Sequence, residues 1–393
     1  MWWPSACSGC PGAERDPAVD FAFTDEQDAL REGIRTVLDT ECSPDALRAF
    51  ELADEEGRAE LARNRWAVLA ELGAPALVVP EAADGLGLGD VDLVGVLEEA
   101  GRACLPEPLL ETAALAAPTL AALLPDPAAA AALAALVEDD ASFAVGGVDV
   151  TADGLVSPTT VSADGTLRTP RVVGARDVAI LLLACRDADS GWQLHAVPAA
   201  SCTVHPMPAL SSSRDLSIVH WPLDSDTLLA YGVAAEAAVS LLADRAAAGS
   251  AALLLGLADR MLAMTAVYAK ERHQFGKPIG SFQAVKHHLA DARVALEFAR
   301  PATYRAAWSL ATAQPTLSHD ASMAKAMASD AADLAARVAL QVHGAIGYTW
   351  ECDLHFFMKR TWALSRAWGD AATHRRLVLA QVRRAATGTG TTH

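Results

Sequence analysis

The 393-residue sequence is short of positive charge, of cysteine and of long hydrophobic runs, and each shortage excludes a class of protein. Lysine and arginine number 31 against 49 aspartate and glutamate residues, which gives a formal net charge of −18 at pH 7. Binding to the phosphates of a nucleic acid needs a basic stripe, and the sequence has none, so it argues against a nucleic-acid-binding protein. The hydrophobic fraction of 52 % argues against a disordered chain, because it provides enough apolar surface for a core.

Seven cysteines scattered over this length predict reduced thiols in a cytoplasmic protein rather than a disulfide framework. Cys7 and Cys10 form one C-x-x-C pair, and a zinc site would need a second pair. The eleven histidines do not cluster at the spacing of metal ligands, and the adjacent His287 and His288 point about 100° apart on a helix. We therefore expect no metal site.

No stretch of the sequence meets the requirement for a membrane span, which is about 20 strongly apolar residues without breaks. The most apolar candidate, Ala113–Val137, is mostly alanine and is interrupted by Pro118, Pro125, Asp126 and Pro127. No basic region followed by an apolar stretch opens the sequence, so we expect a disordered leader over residues 1–20 rather than a secretory signal. The Gly/Thr-rich residues 387–393 are expected to fray.

Three regions differ in hydrophobic period and predict helices, then strands, then helices. Residues 21–140 are predicted to form a helical domain, in which a capping box at Thr24–Gln27 precedes apolar residues at helical spacing. Residues 141–225 contain short β-rich runs between turn residues, which predicts a small barrel or sandwich of about six strands. Residues 226–386 return to long helical periods with short connections, the pattern of an antiparallel four-helix bundle.

Phosphate-binding loops, serine nucleophile elbows and H-E-x-x-H zinc motifs are all absent, and two other segments carry the information. In the first, a long helix ends at Arg272, whose fork of donors suits a pyrophosphate but also suits a charged helix end that stabilises the macrodipole. In the second, Gln341 has the donors and acceptors for a nucleotide group. Gly344 after it either lets the backbone approach a ligand or is a simple helix C-cap.

Together the two segments resemble the acyl-CoA dehydrogenase family. Arg272–Asp291 matches the family's pattern Arg-x-x-Phe-Gly-x-Pro-Ile-x-x-Phe-Gln-x-x-x-x-x-Leu-Ala-Asp. Gln341–Glu351 matches the pattern Gln-x-x-Gly-x-x-Gly-Tyr-x-x-Glu, and Trp66 and Val79-Pro-Glu81 are also similar. The likeness covers nearly the whole chain after about residue 20. It implies an α+β fold with an N-terminal helical domain, a small middle β barrel or sandwich and a C-terminal four-helix bundle.

The resemblance also implies a cofactor and a reaction. Members of the family bind FAD at a subunit interface and remove hydrogens from the α and β carbons of an acyl-CoA thioester. A glutamate takes the α proton, flavin N5 takes the β hydride, and an electron-transfer protein accepts the electrons.

The implied FAD site has two halves from two chains, and this sequence keeps the half that holds the adenine and pyrophosphate. The cofactor-binding residues that the resemblance implies there are Arg272, Gln274, Phe275, Gln341, Gly344 and Ala345, the last in place of one of two glycines. The half that surrounds the flavin ring is poorly matched. The usual Thr-Glu-Pro loop is missing between Ala144 and Leu155, and the flavin-facing strand, near residues 172–174, has no aromatic or hydroxyl side chain.

The catalytic glutamate of the family is missing as well. Its two known positions map to Trp368 and Ala246, and neither side chain can accept a proton. Asp370 and Asp244 lie two residues from these positions and are candidate substitutes, although a spacing of two turns a helical side chain to another face.

Loss of one half of the site with retention of the other predicts a subunit that completes the FAD site of a homologous, base-bearing partner, as in actinobacterial hetero-oligomeric acyl-CoA dehydrogenases. Two alternatives stay open. One is a self-sufficient homo-oligomeric flavoenzyme, a dimer or tetramer, with a relocated base and a specialised acyl thioester as substrate. The other is a non-catalytic, FAD-free use of the fold as a scaffold or regulator.

Overall fold

The computed structural model of the protein describes residues 23–162, 165–187, 191–210 and 215–386. The expectations for the leader, including Cys7 and Cys10, and for residues 387–393 lie outside these ranges. Within them the chain forms a helical region, a β sandwich and a helical bundle in that order, which confirms the predicted fold class.

The first region begins where the sequence predicted, at the capping box. The Thr24 hydroxyl accepts a hydrogen bond from the Gln27 amide at 3.2 Å, and the Gln27 side chain accepts one from the Thr24 amide at 3.0 Å. The helices are α1 Asp25–Glu41, α2 Pro44–Leu52, α3 Glu55–Glu71, α4 Asp90–Arg102, α5 Ala117–Ala122 and α6 Pro127–Glu138, and a π-helical turn, Leu110–Ala116, leads into α5. Helix α2 was missed, although Ser43 at its N-cap and Pro44 at its first position are start signals.

Two four-stranded sheets pack face to face in the middle region. The first has the order β1 (Phe143–Gly146), β6 (Ile180–Asp187), β7 (Gly191–Pro198), β10 (Leu228–Tyr231), and the second has the order β4 (Thr160–Val161), β5 (Leu167–Val173), β9 (Leu216–Trp221), β8 (Thr203–Met207). A hairpin of β2 (Asp149–Thr151) and β3 (Gly154–Val156) stands beside them. The described residues therefore hold more strands than the six or so predicted, because the shortest strands are too brief to show a period.

The core of the sandwich explains its closure. Leu181 and Val197 of the first sheet meet Val172 and Trp221 of the second in one cluster of buried side chains. The Trp221 indole donates to the Thr169 hydroxyl at 2.9 Å, so the one polar group of that ring is satisfied inside the core.

The last region contains α7 Gly232–Glu271, α8 Gln283–Ala311, α9 Leu317–His343, α10 Leu354–Leu364 and α11 Ala371–Ala386. Helix α10 was not predicted. The bundle joins the first region through two glycines, because a Cβ at Gly256 of α7 would lie 1.9 Å from the Glu98 carbonyl oxygen. A Cβ at Gly101 of α4 would lie 2.1 Å from the Leu253 carbonyl oxygen. Helices α4 and α7 therefore cross in backbone contact, a packing that only glycine permits.

The expectation that no stretch could span a membrane is wrong for α7. This helix is long and apolar enough to do so by length and composition, with a mean hydropathy of 1.4 in its best window. The same window is 67 % buried inside the protein, so its apolar side chains already have partners in the core. The apolarity of α7 comes largely from alanine, so its sequence does not stand out as a strongly hydrophobic run.

Candidate functional site

The segment after α7 forms a tight hairpin, which we call the Arg272 hairpin (residues 272–278). Strand β11 (His273–Gln274) pairs with β12 (Lys277–Pro278), and Phe275 and Gly276 form the two-residue turn between them. Both turn residues have positive φ, 53° and 79°, which is the conformation that suits a two-residue hairpin but strains a phenylalanine. Phe275 is 91 % exposed, so the hairpin holds an unburied aromatic ring at its tip.

Arg272 has a fixed backbone and an unengaged side chain. Its amide donates to the Tyr268 carbonyl at 2.9 Å, and its carbonyl accepts from the Ile279 amide at 2.8 Å. The guanidinium is exposed and has no hydrogen bond or ion pair to any other described residue. The Gln274 side chain is exposed too and, among the described residues, donates only to the neighbouring His273 carbonyl, at 2.8 Å. The hairpin therefore presents a charged fork that no carboxylate in the described part of the chain neutralises.

The second predicted segment is a 3₁₀ turn, Gly344–Tyr348, which we call the Gly344 turn. It follows directly on α9, and Gly344 turns the chain with φ 64° and ψ −140°. A Cβ built on Gly344 would meet nothing within 4 Å among the described residues, so the backbone angle and not a close neighbour there favours glycine. Gln341, Gly344 and Ala345 are all exposed, and the space in front of the turn is open.

The fold brings these two segments to the same end of the bundle. Helices α7 and α9 run parallel, because Asp244 and Ser318 meet near their starts while Tyr268 and His343 meet near their ends. The six residues that the resemblance implies for cofactor binding therefore all lie on the loops that follow these two helices or in their last turn.

The first of the two positions predicted for a catalytic base, Ala246, lies in the hydrophobic core. Ala246 is fully buried in α7, where its methyl group packs within the main hydrophobic cluster. No substrate atom can reach this position without opening the bundle.

The second base position lies in the Trp368 loop (residues 365–370), which is closed by contacts of its own backbone. The Trp368 carbonyl accepts a hydrogen bond from His374 Nε2 at 2.8 Å, and the Gly369 carbonyl accepts one from Lys325 Nζ at 3.1 Å. A Cβ on Gly369 would lie 3.3 Å from that of Val150, so strand β2 packs directly against the loop. The half-buried Trp368 side chain packs against the main hydrophobic cluster.

The two candidate carboxylates have structural partners. Asp370 caps α11, where its carboxylate accepts from the Thr373 amide at 2.7 Å, and these hydrogen bonds hold its pKa below the usual value. Asp244 accepts from the Ser318 hydroxyl at 2.6 Å, and burial raises its pKa to about 6. Ser318 precedes Lys325 by two turns of α9, or about 10 Å. The structure therefore does not bring Asp244 to the Trp368 loop.

Lys325, which organises this loop, was not among the residues predicted from the sequence. Its side chain is fully buried and donates to the carbonyls of Leu364, Ser365 and Gly369 at 3.1 Å each. It thereby satisfies orphan carbonyls at the end of α10 and ties them to the next loop. Burial lowers the pKa of Lys325 to about 7. The available signal was a lysine on an alanine-lined helix face, where a charge is otherwise rare.

His374 predicts a pH dependence of stability. Burial lowers its pKa from 6.5 to about 4, so as the pH falls the unfolded chain takes up this proton first. We expect the contribution of His374 to the free energy of unfolding to reach its maximum above about pH 6.5. It should then fall by on the order of 3 kcal/mol between pH 6.5 and 4 through this one group.

The measurement is denaturant unfolding at a series of pH values. His374→Gln should flatten the slope in this window, and His287→Gln, at an exposed histidine of α8, should leave it unchanged. Equal slopes for parent and His374→Gln would contradict the assignment.

The flavin-facing strand position gives no new ligand group. Val172 is fully buried in the sandwich core, and Gly174 turns the chain with φ 71° while its amide donates to the Asp215 carbonyl at 2.9 Å. Between strands β5 and β2, Arg171 is ion-paired with Asp149. The lining of this part of the sandwich is therefore aliphatic or already paired.

A cavity of about 460 Å³ lies elsewhere, between α3 and the start of the sandwich. Trp66, Pro106 and Val178 contribute to its apolar surface, and Asp177 and Arg176 contribute charge. None of the bundle residues considered above lines it. Within the described ranges, no group of three or more His, Cys, Asp or Glu side chains is placed to hold a metal ion.

Two models of one protein family match most of the chain. The family model for the acyl-CoA dehydrogenase N-terminal domain matches residues 24–125, and that for the C-terminal domain matches residues 236–383. Acyl-CoA dehydrogenase IpdE2 of Mycobacterium tuberculosis is 34 % identical over 339 residues, which cover 86 % of this chain and 91 % of the relative. FadE34 of the same organism is 35 % identical over 362 residues, which cover 91 % of this chain; the chain spans about half the length of that relative, 48 %.

Two of the similar solved structures each carry the names of two proteins. The Tcur3481–Tcur3483 steroid ACAD variant superposes with a TM-score of 0.79 at 26 % identity, covering 92 % of this chain and 99 % of that one. The ChsE4–ChsE5 complex of Mycobacterium tuberculosis superposes with a TM-score of 0.80 at 24 % identity, covering 95 % and 100 %. Matches to both family domains and a relative at 34 % identity along nearly its whole length leave one conclusion: this chain belongs to the acyl-CoA dehydrogenase family.

Proposed function

We propose that the chain is the non-catalytic subunit of a hetero-oligomeric, FAD-dependent acyl-CoA dehydrogenase. It would lend the Arg272 hairpin and the Gly344 turn to an FAD held mainly by a homologous partner subunit, which carries the base and oxidises an acyl-CoA or other acyl thioester. The single observation that supports this most is an asymmetry within the chain. The loops that would face another chain are exposed and unneutralised, whereas the Trp368 loop is closed.

The lending side fits the pyrophosphate and adenine end of FAD. Arg272 offers a planar fork of donors to a dianionic pyrophosphate and has no competing carboxylate among the described residues. Gly344 leaves open space before an exposed backbone, and Gln341 stands in the last turn before it with an amide that can donate and accept. When bound, FAD would supply the hydride acceptor.

The receiving side does not fit catalysis by this chain. Proton abstraction needs a carboxylate near the α carbon, and an indole at Trp368 or a buried methyl at Ala246 supplies none. Val150 packs against Gly369, next to Trp368, so the sandwich and the loop are already in contact beside this predicted base position. The relatives that are two-component complexes are consistent with a division of labour between chains.

We also propose a domain division and a compartment for the chain. Its three domains would be residues 21–140, 141–225 and 226–386, and it would act in the cytoplasm. An electron-transfer protein would reoxidise the flavin of the assembly.

A self-sufficient homo-oligomer is the second candidate, and the raised pKa of Asp244, about 6, is the observation in its favour. A general base works best when its pKa lies near the operating pH. The closed Trp368 loop and the hydrogen bond from Ser318 favour the first candidate.

Co-expression separates these functions. The chain should be purified alone and together with a homologue that retains the glutamate, ideally one encoded by a neighbouring gene. We expect a colourless and inactive chain alone, and a yellow, active assembly with bound FAD when both are present. A yellow and active homo-oligomer would establish the second candidate, and an assembly without flavin would refute both.

A further inference from the structure

Gly344 follows Arg272 by 72 residues in the sequence, yet one pair of rings joins the Arg272 hairpin to the Gly344 turn. Tyr268, in the last turn of α7, stacks on His343, the last residue of α9, with ring centroids 4.4 Å apart and planes 17° from parallel. The Tyr268 hydroxyl lies 3.5 Å from the His343 carbonyl oxygen, at the long limit of a hydrogen bond. The rings therefore supply most of this contact.

The hairpin is attached to the Tyr268 side of the stack through backbone contacts. The Tyr268 carbonyl accepts from the Arg272 amide at 2.9 Å. At the other end of the hairpin, a Cβ on Gly280 would lie 2.9 Å from the Ala269 carbonyl oxygen, so this segment rests on the last turn of α7. A displacement of Tyr268 would consequently move both ends of the hairpin.

The Gly344 turn is attached to the His343 side in the same way. His343 Nδ1 donates to the Ala339 carbonyl at 2.8 Å, which fixes the ring orientation, and burial lowers the pKa of His343, which keeps the imidazole neutral. A Cβ on Gly347 would lie 3.1 Å from that of His343, so the turn packs against this residue. Lys270 and Glu271, which follow Tyr268, and Arg337 and Tyr348, on either side of His343, are all exposed, and among the described residues none of them is hydrogen-bonded to either ring.

We propose that Tyr268 and His343 are positioning residues that fix the separation of the two loops, so that both contact one FAD molecule at the same time. This inference rests on the proposed function for its ligand. The Tyr268–His343 stack together with the two loops that it joins, which we call the bracket, is a property of this chain. Two contacts held at the right separation bind more tightly than two that move independently, because the second contact then costs little additional entropy.

The first test is FAD affinity of the assembled complex, measured by quenching of flavin fluorescence. Tyr268→Leu should raise the Kd about fivefold to tenfold, which is the upper part of the roughly twofold to tenfold effect of a lost aromatic pair. His343→Gln should have a similar effect, because it keeps a donor for Ala339 but loses the ring. Tyr268→Phe keeps the stack and should leave the Kd within about twofold.

Coupling to Arg272 separates positioning from simple loss of stability. In an Arg272→Ala background, Tyr268→Leu should change the Kd little further, because there is no longer a guanidinium to position. Leu242→Ala is the matched control. It removes a fully buried side chain of the same helix about 40 Å away, so it should lower stability without changing the Kd. Additive effects of Tyr268→Leu and Arg272→Ala, or an equal Kd change in Leu242→Ala, would overturn the proposal.

Hydrogen exchange without added FAD tests the bracket independently of the ligand. Two amides report on the two segments. The Ile279 amide, just after the hairpin, donates to the Arg272 carbonyl, and the Thr349 amide, just after the Gly344 turn, donates to the Ile346 carbonyl. Tyr268→Leu should speed exchange in both segments, and Leu242→Ala in neither. Faster exchange in one segment only would refute the bracket. Coupled exchange in an assembly that never binds flavin would instead refute the proposed function and leave the bracket standing.

Discussion

Replacing Arg272 by alanine is expected to lower the FAD affinity of the assembled complex about tenfold or more. A charge-assisted contact from an arginine fork to a pyrophosphate contributes roughly 1.5–3 kcal/mol, and the Arg272 guanidinium has no other described partner to compensate. Its backbone holds the hairpin through the Tyr268 and Ile279 hydrogen bonds, which alanine retains, so the hairpin should keep its shape. Flavin content after dialysis and equilibrium titration with FAD both measure this loss.

Two further variants sharpen the interpretation of that experiment. Arg272→Lys keeps the charge without the planar fork, so its FAD affinity should lie between those of the parent and of Arg272→Ala. Arg376→Ala removes an exposed charge from α11, far from the hairpin, and should leave FAD binding unchanged. Parental flavin content in Arg272→Ala would count decisively against the assignment of this loop.

Removing both candidate carboxylates should leave turnover of the assembly within a few-fold of the parent. Asp370→Asn keeps a side-chain acceptor for the Thr373 amide, so the cap of α11 survives, and Asp244→Asn keeps an acceptor for Ser318. Removing the partner subunit's catalytic carboxylate should instead lower turnover by roughly 10²–10⁴, the usual contribution of a general base. Steady-state assays with an artificial electron acceptor, on the single and double variants, measure the contrast.

The opposite result would move the chemistry into this chain. Loss of turnover in Asp244→Asn alone, with FAD and substrate still bound, would identify Asp244 as the base. The self-sufficient homo-oligomer would then replace the two-subunit enzyme.

Local signals in the sequence predicted many elements well, because short-range hydrogen bonds and periodic burial produce them. The capping box at Thr24 starts α1, and β9 occupies Leu216–Trp221 as predicted. Elements with little periodic signal were missed, such as the 11-residue α10 and the hairpin of β2 and β3. Helix α7 was underrated as an apolar segment because alanine contributes little to strong hydrophobicity but packs readily into a core.

The sequence by itself determined the family, the order of helices, sandwich and bundle, and the absence of a proton acceptor at Trp368 and Ala246. These features follow from residue identity and spacing alone. The tertiary structure alone decided that the Arg272 hairpin and the Gly344 turn share one end of the bundle, because this depends on α7 and α9 running parallel. It also decided that Val150 contacts Gly369 of the Trp368 loop, 219 residues further along the chain, since contact between such distant residues arises only when the sandwich packs against the bundle.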